Sequence, residues 1–473
     1  MSYILPEAKS DDIVGWESPE DPANPRNWKK GVKITHVALI SVFTLYTNLA
    51  ALMFAPSAQH LVAEFNITSS FVATLTVSIY ILGYVFGPFF LASMSEIYGR
   101  LIIYHTCNIL YIGFTIGCAL STNTSMFLVF RFICGWAASA PMVVGGGTVA
   151  DLYEVEERGK AIALFGLGPL LGPVIGPVIG GFVAQYLGWR WTFWLILILA
   201  GIISLLAVPL MRETFEPVLL ERKAIKLRKS TGNKNLRTRS YNDDLTPGQR
   251  LARAIVRPIK MLLLSPIVFL LSLYAAFMFG LAYILFTTFP AVFEEQYGFG
   301  PSISGLSYLG LGVGMIISIG LFAVLSDKLL HQPRGGTVAR PELRLILMIW
   351  SSPVVPIGFF WYGWSAQRHD HWIVPILGTL VIGLGSFLVL LPGQLYLVDA
   401  FGAESAASVL AANTVLRSLF GAFLPLAGPP LYNSLDLGWG NSVLAFIALA
   451  FVPVPFLFYK YGEKLRAKFP VDL

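Results

Sequence analysis

Apolar stretches long enough to cross a lipid bilayer constrain this chain more than any other feature. A helix of about 20 residues crosses the roughly 30 Å of hydrocarbon in a bilayer, and such stretches recur along the whole 473-residue sequence. Hydrophobic residues make up 55% of the chain and charged residues only 13%, which is too little charge for a soluble surface. This composition excludes a soluble enzyme, a nucleic-acid-binding protein and a secreted disulfide scaffold. The sequence predicts an all-α membrane protein with twelve transmembrane helices.

The distribution of basic residues predicts how these helices are oriented. Because their number is even, both termini lie on one side of the membrane, and nearly all of the 33 Lys and Arg residues fall on that side. Cytoplasmic loops carry such an excess, so both termini are expected in the cytoplasm. The sequons at Asn66 and Asn123 then lie in outer loops, close to span ends, as candidate glycosylation sites. The predicted spans are 34–56, 71–94, 102–120, 125–149, 161–186, 191–211, 264–290, 302–325, 342–364, 372–397, 404–428 and 440–460.

A long basic segment divides the spans into two sets of six. Gly83 precedes the pair Ser95-Glu96 by the same spacing at which Gly314 precedes Ser326-Asp327, which indicates an internal duplication. Two duplicated six-helix bundles are typical of transporters, with a central site between the halves. The predicted domains are an N-terminal cytoplasmic segment (1–33), a first bundle (34–211), a cytoplasmic linker (212–263), a second bundle (264–460) and a cytoplasmic tail (461–473).

The short turn after the second span carries a carboxylate, a glycine and an arginine. Gly99 allows a tight reversal, and Glu96 and Arg100 are able to pair with each other or with charges of the opposite half. Such pairs form when an inner gate closes and break when it opens. Asp151 and Asp327, at other inner span ends, are added to this predicted gate. The alternative interpretation is an ordinary capped loop.

Two arginines, Arg131 and Arg417, fall inside predicted spans and away from the span ends, where an ionised side chain marks a functional site by default. Arg131 is shallow enough for snorkelling to be an alternative, whereas Arg417 is deep. We expect both to line a central cavity. No acidic residue lies in the middle of a span, which favours neutral or anionic hydrophobic substrates over organic cations. The other polar and aromatic candidates for the cavity are Asn48, Gln394, Asn413 and Tyr283.

The fifth span contains glycines at every fourth position from Gly168 to Gly180. They form one smooth ridge that a neighbouring helix is able to approach closely. Pro173 and Pro177 each remove a backbone hydrogen bond and bend the helix. The pattern predicts a kinked helix with a flat seam, suited to rocking against a partner, and plain tight packing is the alternative.

These motifs resemble those of the major facilitator superfamily. The turn 92–101 is similar to its signature loop, with Glu96 in place of the usual Asp, and Arg131 with Gly135 resembles a motif whose arginine is tied to proton coupling. The segments 21–28 and 212–224 look like those of the fungal twelve-span drug:proton antiporters. The fifth span resembles the antiporter motif of proton-coupled exporters at Gly172, Pro173, Gly176, Pro177, Gly180 and Gly181.

The resemblance implies a major facilitator fold and a proton-coupled antiporter that exports drugs, fungicides or toxins by alternating access. It implies a monomer in the plasma membrane whose partners are the lipid bilayer, a hydrophobic small molecule and protons. No nucleotide-binding loop is present, so the proton gradient is the expected energy source, and we expect no cofactor, no metal and no enzymatic activity. The alternatives are a facilitator or importer of a metabolite and a non-transporting receptor of the same fold.

Overall fold

Helices dominate the computed structural model, which describes residues 13–154, 157–233, 235–238, 247–330 and 340–469. Two short strands, β1 (Ile13–Val14) and β2 (Arg237–Thr238), pair in parallel. The helices are α1 (Lys30–Met53), α2 (Ala58–Glu64), α3 (Ser70–Gly83), α4 (Gly87–Tyr98), α5 (Arg100–Ala119), α6 (Thr124–Leu152), α7 (Arg158–Leu187), α8 (Arg190–Leu210), α9 (Glu216–Thr231), α10 (Pro247–Leu264), α11 (Pro266–Tyr297), α12 (Pro301–Leu330), α13 (Leu345–Ser351), α14 (Val354–Gln367), α15 (Ile373–Phe423), α16 (Gly428–Phe451) and α17 (Pro453–Lys468).

The predicted spans are confirmed as long apolar helical segments. Eleven such segments occur in the described part of the chain, and the last of them, Ser405–Lys468, covers the final two predicted spans. The continuous helix α15 contains two spans because Gly402 (φ 73°) breaks its direction, and Asp436 (φ 56°) interrupts α16 in the same way. A residue with positive φ turns the chain without a long loop. The start of α1 and the end of α17 therefore share one face of the molecule, which we call the terminal face.

The helices pack as two bundles. The first bundle is formed by contacts among α1 to α8, and the second by contacts among α11 to α17. The bundles meet where α7 packs along α12 and where α3 packs against α15. The linker helix α10 also touches both bundles, at α4 and α15. This arrangement leaves two separate interfaces along which the bundles are able to move.

Aromatic residues fill the interior of each bundle. In the first bundle the ring of Phe54 packs against Phe127 and Phe193, with centroids 5.2 and 5.4 Å away. In the second, Phe289 packs against Tyr308 and Tyr362, at 5.1 and 5.6 Å. Such tilted and edge-on pairs add to the burial of apolar area. The buried apolar residues of the two bundles together form one continuous core, and the site described below lies at one end of it.

Candidate functional site

A cavity of about 610 Å³ opens between the bundles at the face opposite to the terminal face. It is lined by the start of α3, the end of α11, the turn after α14 and the start of α16. Cavities of this volume accept drug-sized molecules. Its wall is polar, and the charged and amide groups that line it include Gln59, Glu295, Gln296, Gln367 and Asp436.

The cavity walls differ from the sequence-based prediction. None of the six predicted cavity residues is among the described residues that line it. Asn48 instead donates to the Thr44 carbonyl of its own helix (2.8 Å), and Tyr283 is buried. Gln394 is only partly buried. The prediction followed the position of each residue along its helix but did not fix which side of the helix that residue occupies.

Arg417 lies in the second half of α15, among aromatic rings. Its guanidinium carbon is 4.8 Å from the ring centre of Phe279, and that ring packs against Tyr283 at 4.9 Å. Thr287, one helical turn beyond Tyr283 on α11, lines the cavity. A short row of α11 side chains thus connects the floor of the cavity to Arg417.

Polar groups beside these rings are left unsatisfied. The buried Nε of Arg417 has no hydrogen-bond partner among the described residues. One turn earlier on α15, the amide oxygen of the buried Asn413 is also without a partner in the described part of the chain. A donor and an acceptor on one helix face are therefore open, which is costly unless a ligand or water fills the place.

Arg131 is buried inside the first bundle, so its predicted place on the central cavity is wrong. Only 2% of the residue is exposed, and its Nη2 donates to the carbonyls of Ala50 (2.9 Å) and Ala51 (3.0 Å) near the end of α1. The ring of Tyr80 lies 4.5 Å from the guanidinium carbon. The last carbonyls of a helix lack intrahelical donors and carry partial negative charge. Arg131 therefore acts as a cap that fixes the end of α1 within an aromatic cage.

Arg100 is held in a charged cluster at the terminal face. Its Nη1 donates to Ser95 Oγ (2.6 Å), and its Nε lies 3.3 Å from a carboxylate oxygen of Asp151. The Phe215 ring lies 4.5 Å from the guanidinium carbon. The structure thus brings Arg100 and Asp151 together, as the predicted gate requires. Both belong to the first bundle, so the pair does not bridge to the opposite half.

Glu213, just after α8, is the residue of this site that the prediction missed. It is 4% exposed, and its carboxylate accepts four backbone N–H groups. Gly99 leaves the room for it, because a Cβ at that position would collide with the Glu213 carboxylate. The carboxylate thus caps the start of α5, where negative charge is stabilising. The four donors are the N–H groups of Arg100 (2.9 Å), Leu101 (3.1 Å), Thr214 (3.0 Å) and Phe215 (2.9 Å). We call Arg100, Asp151, Glu213 and Phe215 the arginine cluster.

The other predicted gate residues lie apart from the arginine cluster. Glu96 is exposed on α4 and does not pair with Arg100, because Asp151 and Ser95 already occupy that guanidinium. The side chain of Asp327 lies outside the described residues. The second bundle instead repeats the arginine–aspartate pair at the equivalent span ends, with Arg344 Nε 2.9 Å from Asp399 Oδ2.

The glycines of α7 serve two different interfaces. The ridge of Gly168, Gly172, Gly176 and Gly180 packs on α1, where a Cβ at Gly172 would lie 2.6 Å from Asn48 Cβ. The partner helix of the ridge is therefore α1 of the same bundle, and rocking at this seam stays a prediction. Gly181 points to a different side of α7, and a Cβ there would approach Pro301 and Gly305 of α12. Gly181 therefore lies in the α7–α12 contact, one of the two places where the bundles meet.

Pro177 also belongs to this second interface. A Cβ at Gly305 of α12 would lie 2.6 Å from the Pro177 carbonyl oxygen, so the two backbones approach each other without intervening side chains. Pro173 and Pro177 both lie inside a continuous α7. The predicted helix is present as one continuous segment, its bend at the prolines stays a prediction, and its second half touches both α1 and α12.

Carboxylates near the cavity were also missed, because the seventh span is longer than predicted. Helix α11 continues to Tyr297, so Glu294 and Glu295 lie in its last turn. One oxygen of Glu294 is buried and has no hydrogen-bond partner among the described residues, and Glu295 lines the cavity. The end of α11 therefore brings negative charge to the mouth of the cavity.

The two sequons are accessible. Asn66 and Asn123 are both exposed, and Asn123 caps α6 by accepting the Met126 N–H at 2.9 Å. This cap uses the amide oxygen of Asn123 and leaves Nδ2, the atom that an N-linked sugar would modify, outside the cap. Glycosylation of either residue stays a prediction.

Comparisons with known proteins agree with this architecture. A family model described as Major Facilitator Superfamily matches residues 38–425. The protein named MFS transporter prlG, from Fungal sp. (strain NRRL 50135), is 79% identical over 472 residues, which is 100% of both chains. The Trichosetin biosynthesis cluster MFS transporter of Gibberella fujikuroi is 56% identical and covers 98% of this chain and 90% of its own. The xylose transporter XylE from E. coli, solved in an inward open conformation, has a similar fold, with a TM-score of 0.68 at 16% identity, over 92% of this chain and 100% of that one.

Proposed function

This chain belongs to the Major Facilitator Superfamily and is a membrane transporter, and we propose that it exports hydrophobic secondary metabolites in exchange for protons. The observation that carries this proposal is the double packing of α7. Its glycine ridge packs on α1, and its backbone at Pro177 and Gly181 closely approaches Pro301 and Gly305 of α12 in the other bundle. A contact between small residues allows two helices to shift against each other. The cluster-associated name of one relative supports a secondary metabolite as the cargo.

We further propose that the cargo is an acidic or carbonyl-rich hydrophobic compound. Arg417 offers an unsatisfied donor, Asn413 an unsatisfied acceptor, and Phe279 a ring on which a flat group is able to stack. A carbonyl or carboxylate bound there would satisfy the arginine and remove the cost of its burial. We also propose that the protein resides in the plasma membrane with both termini in the cytoplasm, an orientation that the basic loops support.

The proton gradient is expected to drive transport without nucleotide. Purified protein in liposomes with an acidic lumen should accumulate a radiolabelled hydrophobic polyketide acid, because protons leaving the lumen drive substrate entry. A weak acid does not accumulate passively in an acidic compartment, so accumulation reports exchange. An uncoupler and protein-free liposomes are the controls. Equilibration without accumulation would instead identify a facilitator, and a requirement for ATP would exclude the proposal.

Replacement of Arg417 is expected to remove the preference for acids. A charge-assisted hydrogen bond contributes about 1.5–3 kcal/mol, so Arg417→Ala should weaken binding of the acid by roughly 10- to 100-fold. Binding of the methyl ester of the same compound should weaken less, because the ester keeps a carbonyl acceptor but has no negative charge to lose a partner. Both affinities are measured at equilibrium in detergent, with Arg222→Ala, an exposed arginine of α9, as the matched control. If Arg417→Ala bound both the acid and the ester with the affinities of wild type, Arg417 would be a structural residue and not a binding residue.

A further inference from the structure

Two sequence segments that resemble family signatures lie outside the spans and have no place in the mechanism described so far. They are residues 21–28, before α1, and residues 212–224, after α8. In the structure they contact each other. We propose that residues 13–28 and α9 form a clasp, the N-terminal clasp, that positions Glu213 and Phe215 in the arginine cluster.

Lys223 of α9 is the centre of the clasp. Its ammonium lies 3.1 Å from a carboxylate oxygen of Glu17 and 3.7 Å from one of Asp21, and it donates to the Gly15 carbonyl at 3.3 Å. Backbone N–H groups of Ala23 and Glu17, with Lys223 nearby, hold the pKa of Asp21 below its ordinary value. Asp21 is therefore ionised at neutral pH. The strand pair β1–β2 fastens the N-terminal segment to the linker at a second point.

Residues 213–215 are held on both sides, after Phe215 by the clasp and before Glu213 by His36 of α1, which packs against Trp28 of the clasp. After the cluster, Trp16 Nε1 donates to Glu216 Oε1 at 2.7 Å, and Glu216 directly follows Phe215. Before the cluster, the Arg212 N–H donates to His36 Nε2 at 2.9 Å. His36 packs against Trp28, with ring centres 5.1 Å apart. The three residues that follow Arg212 are thus held between two fixed points.

The contacts on both sides of residues 213–215 matter because these residues have no regular secondary structure of their own. An irregular segment opens locally at low free energy unless contacts hold it. Glu213 must stay in place to cap α5, and Phe215 must stay in place to cover Arg100. The N-terminal clasp supplies one of those contacts directly and supports the other by the packing of Trp28 on His36, so Trp16 and Lys223 are positioning residues for the arginine cluster. The effect on transport rests on the proposed function, whereas the effect on local opening does not.

The test measures opening of the segment directly. Thr214 is 1% exposed, so a Thr214→Cys reporter should react slowly with a water-soluble maleimide, and the three native cysteines are buried. Lys223→Ala and Trp16→Phe should each make labelling of the reporter at least about tenfold faster, because labelling follows local opening. Lys223→Arg should restore slow labelling. Lys226→Ala, which removes an exposed lysine of the same helix, is the matched control.

Transport of the acid into liposomes is measured in parallel, with folded protein quantified by size-exclusion chromatography. Faster labelling with slower proton-driven transport is the expected result for Lys223→Ala. If Lys223→Ala does not fold, the labelling rate of Trp16→Phe tests the proposal, because this variant keeps an aromatic ring and removes only the hydrogen bond to Glu216. The proposal would be overturned if Lys223→Ala and Trp16→Phe both left the reporter labelling as slowly as it does in the protein that carries Thr214→Cys alone. This outcome does not depend on whether transport is coupled to protons.

Discussion

Gly181→Leu is expected to abolish transport while the protein still folds. Gly181 lies where α7 of the first bundle meets α12 of the second, and a Cβ there would lie 3.3 Å from the Gly305 Cα and closer still to the Pro301 carbonyl. A leucine forces the two helices apart, and overpacking of this kind costs about 1–3 kcal/mol. Because the strain falls on the contact between α7 and α12 of the two bundles, it should disturb the relative movement of the bundles more than the folding of either one. Proton-driven uptake into liposomes should fall below about a tenth of wild type, as expected for a blocked small-residue contact.

Two other glycines of α7 provide matched controls. Gly176 packs on α1, where a Cβ would lie 2.7 Å from the Leu49 carbonyl oxygen, so Gly176→Leu should reduce the amount of folded protein. Gly166 has no atom within 4 Å of a Cβ, so Gly166→Leu should change neither folding nor transport. Full transport by Gly181→Leu would show that α7 and α12 do not move against each other.

The fold was largely predictable because bilayer thickness and backbone hydrogen bonding leave few choices. Every stretch of about 20 apolar residues must form a helix in lipid. The residues at which the helices end were less predictable. Helix α11 runs on to Tyr297 through two glutamates, because the cavity at the bundle end accommodates charge that lipid would not. The turn at Gly402 within α15 was also not specified, since one residue with positive φ takes the place of the polar loop that usually marks a span end.

The candidate site was less predictable because it depends on the direction of side chains around each helix. Arg131 is at the expected position along α6, yet it points to the carbonyls of α1 and not to a cavity. A repeat of four residues correctly predicted one glycine face of α7. Gly181 is one residue off that repeat and therefore points about 100° away from it around the helix, so its role was concealed by the stronger pattern.

The role of Glu213 depends on a contact between segments that are distant in sequence, and a sequence alone does not reveal such a contact. Glu213 lies more than a hundred residues from Arg100 and Leu101, whose N–H groups it accepts, and no local pattern connects the two segments. Gly99 gave the only local signal, as a residue with φ 102° that leaves space for a distant neighbour. The sequence assigned the acidic role in this turn to Glu96, because Glu96 is close to Arg100 along the chain.

Glu213→Ala is therefore expected to have a far larger effect than any change at Glu96. It leaves four backbone N–H groups without their acceptor, and a buried unsatisfied donor costs about 1–3 kcal/mol. Even two such losses are a large part of the roughly 5–15 kcal/mol by which proteins are stable. We expect little folded protein by size-exclusion chromatography in detergent, and a lower melting temperature for what remains.

Glu213→Gln separates the two contributions of the carboxylate. The amide oxygen is able to keep the three bonds of Oε1, whereas the NH₂ group that replaces Oε2 cannot accept from the Leu101 N–H. The amount of folded Glu213→Gln protein and its melting temperature should lie between those of wild type and those of Glu213→Ala. Glu96→Gln, an exposed change in the same region, should fold and transport like wild type. If Glu96→Gln lost transport while Glu213→Ala kept it, the gate would be the pair that the sequence predicted, and the arginine cluster would serve only as packing.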